Sequence, residues 1–335
     1  MVPFYRVILK RAWKMSWQYK WLWFFGFFAA FIGQGSVYEY LFRSFSNLAN
    51  GQPFLTTLTE YANSGVMGMI SWGNFATLWS SDMNAFGSGI LLILFVLCLF
   101  ALLISFAVVG QAGLIKSTVD LDTGKKTNLT KSFKTGVDKF WQVFGINLFM
   151  KVIVFGALVI LAYIAFGFIG TVNYGVNLLY VFVFVVFIII SIVIYFLTIY
   201  GSAYIVLKNK SIKHAIADAW ELFRAHVVVS LEMGLLLFII TFLLACLIFV
   251  CLFILISPLL LVYFILLMVD SYVMLTLIAV LMIIIVVTTF VLMGAWLSTF
   301  QISCWILLFE ELALSPKKSK LQKIVEHVKT KRKKK

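Results

Sequence analysis

The stretch Lys208–Glu232, KNKSIKHAIADAWELFRAHVVVSLE, decides the fold, because it joins a basic amphipathic helix to the start of a membrane span. Ser211 offers a helix cap, and Ile212, Ala215, Ile216, Ala219, Trp220, Phe223 and Val227 follow at i, i+3, i+4, i+7, i+8, i+11 and i+15. That spacing predicts one apolar face, with His214, Asp218, Glu221 and Ala225 opposite it. After His226 the chain is apolar for roughly thirty residues, broken by Glu232. A helix lying on a membrane therefore leads into one that crosses it.

The composition agrees. Of 335 residues, 63% are hydrophobic and 12% charged, against roughly 45–50% and about 25% in soluble domains. Lipid offers no partner to backbone N–H and C=O groups, so continuous apolar runs must satisfy them within helices, and the alternation of β-barrel strands is not visible. The sequence predicts an all-α polytopic membrane protein. A net charge of +14 raises nucleic acid as a partner, but the Lys and Arg residues cluster beside the apolar runs, which is a topology signal and argues against that partner. Cys98, Cys246, Cys251 and Cys304 all lie inside apolar runs and read as small hydrophobes, with neither a disulfide framework nor a zinc site indicated.

The same plan recurs twice upstream. The opening MVPFYRVILKRAWKMSWQYK spaces Arg6, Lys10 and Lys14 at i, i+4 and i+8 on a basic interfacial helix, which feeds a first span over Trp21–Val37. That run ends in FIGQGSVYEY, with no A-x-A-like site, which argues against a cleaved signal peptide. Tyr38–Ser88 is a long polar connection carrying aromatic interface anchors, and a second span covers Gly89–Ile115, where Gly110 and Gly113 would admit a close neighbour. In KSTVDLDTGKKTNLTKSFKTGVDKF, DTGKK reads as a turn and Thr130 as a cap; Phe133, Val137, Phe140, Trp141 and Phe144 then form an apolar face. A third span follows over Trp141–Ile169, interrupted by Lys151, then the turn GTVNYGVN and a fourth span over Val176–Leu207. The fifth span, from Val227, is expected to stop at Ser257-Pro258, because proline disfavours the helical conformation of its predecessor. Leu259–Val269 is too short to cross and reads as an interfacial or re-entrant piece, and a sixth span covers Val273–Phe309.

Lys and Arg number 5 in residues 1–20, 6 in 116–140, 4 in 208–226 and 10 in 310–335, whereas Arg43 stands alone on the other side. Six spans with both termini cytoplasmic satisfy the positive-inside rule. The expected architecture is six transmembrane helices in three repeated hairpins, each preceded by a cytoplasmic amphipathic helix. The repeat units are about 1–115, 116–207 and 208–312 within a membrane domain of residues 1–312, and 313–335 form a basic tail. Gly110, Gly201 and Gly294 mark equivalent late positions in the returning spans.

Three stretches, AWKMSWQYKWLWFFGFF, GLIKSTVDLDTGKKTNLTKSFKTGVDKFW and AYIVLKNKSIKHAIADAWELFR, resemble a family of uncharacterised prokaryotic six-span membrane proteins. These are similar to the membrane domain attached to some glycerophosphodiester phosphodiesterases. The resemblance implies a fold and a location in the prokaryotic inner membrane. It does not extend to the soluble phosphodiesterase barrel or its acid/base histidines, so no catalytic residue carries over.

Lys151 and Glu232 are the two charges well inside spans, and each costs at least about 2.5–3.5 kcal/mol near a bilayer centre. They read as a candidate intramembrane pair or as the lining of a polar pocket. Arg6, Lys10, Lys14, Lys131, Lys134, Lys213, Lys317, Lys318, Lys320 and Lys323 are the candidate contacts to anionic lipid headgroups. His214, His226 and His327 lie apart from any cysteine or carboxylate cluster at ligand spacing, and no catalytic triad, phosphate loop or dinucleotide motif is visible, so neither a catalytic nor a metal site nor a cofactor is predicted. The function expected is a non-enzymatic membrane scaffold or lipid-interacting module. A transporter of a small molecule, lipid or ion through a pocket at Lys151 and Glu232, and a membrane subunit of a larger complex with a protein partner, are the alternatives.

Overall fold

The computed structural model describes residues 4–31, 83–167, 174–268 and 272–314. Among them every element is an α-helix: α1 Phe4–Gln18, α2 Leu22–Ala30, α3 Met83–Asp122, α4 Leu129–Asp138, α5 Phe140–Gly167, α6 Tyr174–Lys208, α7 Ile212–Ala225, α8 Val227–Met268 and α9 Tyr272–Leu314. Helices α3, α5, α6, α8 and α9 are each long and apolar enough to cross a membrane. Of the first expected span residues 21–31 are described, which include α2. The rest of it, the connection up to residue 82, residues 170–173 of the GTVNYGVN turn, Asp270 and the tail lie outside the described residues.

Three times a basic amphipathic helix meets an apolar one across a short break: α1 and α2 across residues 19–21, α4 and α5 at Lys139, α7 and α8 at His226. The single-residue joints keep the hydrogen-bond ladder. Lys139 N–H donates to the Thr135 carbonyl and its own carbonyl accepts from Val143; His226 N–H donates to Leu222 and its carbonyl accepts from Ser230, all at 3.0–3.1 Å. The chain thus turns without stranding a backbone group at a membrane boundary.

Several expectations are corrected. Helix α4 is capped by Asn128, whose side chain accepts from Lys131 N–H at 3.0 Å, rather than by Thr130. The break at Lys139 gives Phe140, Trp141 and Phe144 to α5, so the apolar face drawn through Phe133 and Val137 does not continue as one helix. Lys116–Asp122, read as a connection, is the last two turns of α3. It ends in a left-handed cap at Gly124 (φ 74°), with Gly124 N–H to Leu121 and Lys125 N–H to Asp120. Most consequential, α8 runs straight through Pro258 to Met268. Proline removes the donor to the Ile254 carbonyl, and the Ser257 hydroxyl donates to that same carbonyl at 3.1 Å. The carbonyl is satisfied without water, so Leu259–Met268 extends the helix instead of forming a separate piece.

The chain forms two compact units. The first, Met1–Ala30, Ala107–Val143 and Ile199–Lys335, holds a dense core built from α1, α2, α4, α7 and the ends of longer helices. Along α9 no residue of 272–294 is buried and none of 295–313 is exposed. Gly26 on α2 makes that packing close: a Cβ there would fall onto the Ala295 carbonyl oxygen and the Thr299 hydroxyl. Gly110 and Gly113 on α3 admit neighbours as their small size predicts, with the Phe25 carbonyl and the Ser132 carbonyl each 3.0 Å from an added Cβ, whereas nothing approaches Gly294. The second unit, Phe31–Phe106 and Phe144–Thr198, buries Ile146, Met150, Phe187, Ile194 and Phe196 and exposes apolar side chains such as Leu94, Phe95, Val152 and Phe155.

Candidate functional site

The charges of the first unit are sorted by sign. Arg6, Lys10 and Lys14 on α1, Lys131 and Lys134 on α4, and Lys213 on α7 are all exposed, as the amphipathic pattern predicts. The described acids of this unit behave differently: Asp138 and Glu221 are exposed, Asp120 is buried, and Asp122, Asp218, Glu232, Glu310 and Glu311 are partly buried. Lys317, Lys318, Lys320 and Lys323 lie outside the described residues.

Most of the inward acids have identifiable partners. Arg11, on the buried side of α1's basic cluster, grips Asp122 at the end of α3 with a fork: Nε donates to Oδ1 at 2.8 Å and Nη2 to Oδ2. Its remaining Nη1 donates to Glu311 Oε1 at the end of α9, at 3.3 Å. Burial works against the guanidinium charge, but the Asp122 hydrogen bond and the charges of Asp122 and Glu311 outweigh it and raise the Arg11 pKa. Lys116 pairs with Asp120 one turn on at 3.2 Å, and Lys210 pairs with Asp218 across the start of α7. Lys208 and Lys210 also sit 5.2 and 5.3 Å above the Tyr204 ring.

Glu232, within the apolar helix α8, accepts a hydrogen bond from the Tyr5 hydroxyl of α1. Tyr5 is itself buried, and burial first, then the adjacent carboxylate, pushes its phenol well above the ordinary tyrosine range, so it stays a donor. Tyr200 and Ser230, both fully buried, meet at 2.8 Å. Lys151 is exposed on α5 in the second unit, whereas Glu232 belongs to the first.

Tryptophans complete the picture. Trp13 and Trp17 on α1 are 39% and 43% exposed and set their rings 5.0 and 5.3 Å from Trp296 of α9, with Phe300 5.6 Å from Trp13. The Trp296 indole nitrogen is buried without a hydrogen-bond partner. Sequence reading missed the Arg11–Asp122–Glu311 cluster and the Tyr5–Glu232 contact, whose members lie 111 to 300 positions apart. A planar fork suits a paired carboxylate better than an ammonium does, but Arg6 on the same helix is exposed, so residue type alone did not single out Arg11.

Five helices of span length, joined to amphipathic helices with outward cations, define a multi-pass helical membrane protein. No family model, curated protein or solved structure matches the chain. Among the described residues no cluster of His, Cys, Asp and Glu suited to a metal ion occurs.

Proposed function

We propose that this protein is a non-enzymatic membrane scaffold that gathers anionic lipid headgroups along the cytoplasmic face of a prokaryotic inner membrane. The observation that carries this reading is the sorting of charge: the cations of α1, α4 and α7, Arg11 excepted, are exposed, while most carboxylates of the same unit are buried or partly buried. Such a surface has little internal neutralisation and presents a positive field to an anionic leaflet, worth about 1 kcal/mol per basic residue near it. The basic tail would add to it. The threefold succession of amphipathic helix, break and apolar helix supports six spans in three hairpins with both termini on the basic side. The Tyr5–Glu232 hydrogen bond supports a packing role for Glu232 rather than a transport pocket.

The test is lipid retention. The full chain is exchanged into mixed phosphatidylglycerol–phosphatidylcholine nanodiscs, and the lipid that survives detergent extraction is identified by mass spectrometry. Phosphatidylglycerol should be enriched. The enrichment should fall with salt and drop about fivefold for each of Lys10, Lys14, Lys131 and Lys134 changed to Gln. Equal retention of both lipids by the unaltered chain would sink the reading.

A further inference from the structure

The three amphipathic helices do not dock alike. Helices α1 and α7 turn apolar residues into the core: Ile8, Ala12 and Met15 of the first, Ala219, Leu222 and Phe223 of the second. Helix α4 buries only Ser132 and Gly136. The Ser132 hydroxyl meets the Ser117 hydroxyl of α3 at 2.5 Å, and a Cβ at Gly136 would fall onto the Val109 carbonyl oxygen. Small residues take the closest helix–helix contact, and Leu129 and Val137 are left outside. Leu129 is 40% exposed, Val137 51%, and Trp141, in the first turn of α5, 76%; Phe133 lies between them, partly buried against Leu22, Phe25 and Leu114.

Two features say what covers this stripe. It leads through Lys139 into α5, a helix long and apolar enough to cross a membrane, so the exposed surface is continuous along the chain with a lipid-facing one. Lys134 is exposed beside Val137 and Lys131 on the far side of α4, with Lys125 and Lys126 exposed in the turn before. An apolar band flanked by cations matches the boundary between acyl chains and phosphates, where ammonium groups reach headgroups while apolar side chains enter the hydrocarbon. We propose that α4 lies edge-on in the anionic leaflet, with Leu129, Val137 and Trp141 among the acyl chains and Lys131 and Lys134 at headgroup phosphates. This rests on the anionic-lipid reading and assigns it to one helix held to α3 by Ser132 and Gly136.

The experiment places the photoreactive residue benzoyl-phenylalanine at Val137, at Leu129, or at Asp138 around the helix, in the full chain in phosphatidylglycerol–phosphatidylcholine vesicles. Mass spectrometry reads the adduct after illumination. Val137 and Leu129 should gain the mass of one phospholipid and Asp138 should not; two stripe positions guard against one that disturbs folding. Changing Lys131 and Lys134 to Gln should reduce phosphatidylglycerol adducts about fivefold per lysine and leave phosphatidylcholine adducts unchanged. A crosslinked dimer at Val137 would overturn the proposal by assigning the stripe to a second copy. So would equal labelling at Asp138. If the unaltered chain retains phosphatidylglycerol yet both stripe positions give no lipid adduct, the insertion fails alone. If adducts form with no preference for phosphatidylglycerol, insertion stands and the anionic-headgroup assignment falls.

Discussion

Arg11→Met keeps most of the aliphatic stem and removes the guanidinium that serves Asp122 and Glu311 together. The Asp122 side chain is 12% exposed and that of Glu311 28%, so neither carboxylate regains full hydration once its partner is gone. Breaking a fully buried pair in this way costs about 3–5 kcal/mol. The Arg11 side chain is 36% exposed, which screens the interaction, and the discounted expectation is about 1–3 kcal/mol. Thermal unfolding in mild detergent, followed by tryptophan fluorescence, should register a fall in Tm of a few degrees, because Trp13 and Trp17 ride on the same helix. Asp122→Asn should cost a similar amount. The double variant should be less destabilised than the two single effects combined, since no cation or carboxylate of that pair is left alone, giving a coupling above about 1 kcal/mol. If each single change stays within about 0.5 kcal/mol and the two effects simply add, the cluster is a solvated surface array and the reasoning that it fastens α1 to α3 and α9 is refuted.

Tyr5→Phe removes the donor to Glu232 and should cost about 1–2 kcal/mol, with faster hydrogen exchange in α1 as the local readout. Gly136→Ala should destabilise by about 1–3 kcal/mol through overpacking against Val109, whereas Gly156→Ala, with nothing within 4 Å of its added carbon, should be neutral or stabilise by up to about 1 kcal/mol; a melting comparison of the two checks this. His226, at the joint between α7 and α8, has its pKa lowered by burial from 6.5. A lowered histidine pKa means that the folded state binds its proton less readily than the unfolded one. The His226 contribution is therefore fully present above about pH 6.5 and is lost as pH falls toward the lower folded value. His226→Asn should flatten the acid limb of the stability profile relative to the unaltered chain, and coincident limbs would contradict the assignment.

The amphipathic helices were legible because period and charge are local: Ala215, Ala219 and Phe223 are buried as their spacing requires, and Arg6, Lys10 and Lys14 are exposed. Their joints were legible in outline, since each apolar run begins where the basic helix stops. The proline at 258 misled, because the rule against the preceding residue's helical conformation is local, whereas the rescue depends on which carbonyl the Ser257 hydroxyl reaches. The apolar face read through Phe133, Val137, Phe140, Trp141 and Phe144 is divided by the break at Lys139, and Leu129 was not part of it. Spacing identifies which residues share a face, and only the contacts made by Ser132, Gly136 and Phe133 show which edge of α4 meets the protein and that Leu129 and Val137 lie outside it.

The sequence by itself determined that the chain is helical and membrane-spanning, because lipid leaves apolar backbone no other way to satisfy its polar groups, and it determined where cations collect. Only the tertiary structure decided which part of each long helix meets protein. Helix α9 has 43 residues, about 64 Å at 1.5 Å per residue, some twice the hydrocarbon thickness. Its exposed part, 272–294, is about 35 Å long, and the remainder is packed inside the first unit. Leucine, isoleucine and phenylalanine are equally at home beside a lipid tail and beside one another, so hydropathy gives no boundary between the two surroundings. The boundary appears when Gly26, Trp13 and Arg11, brought from the far end of the chain, take up their places along α9.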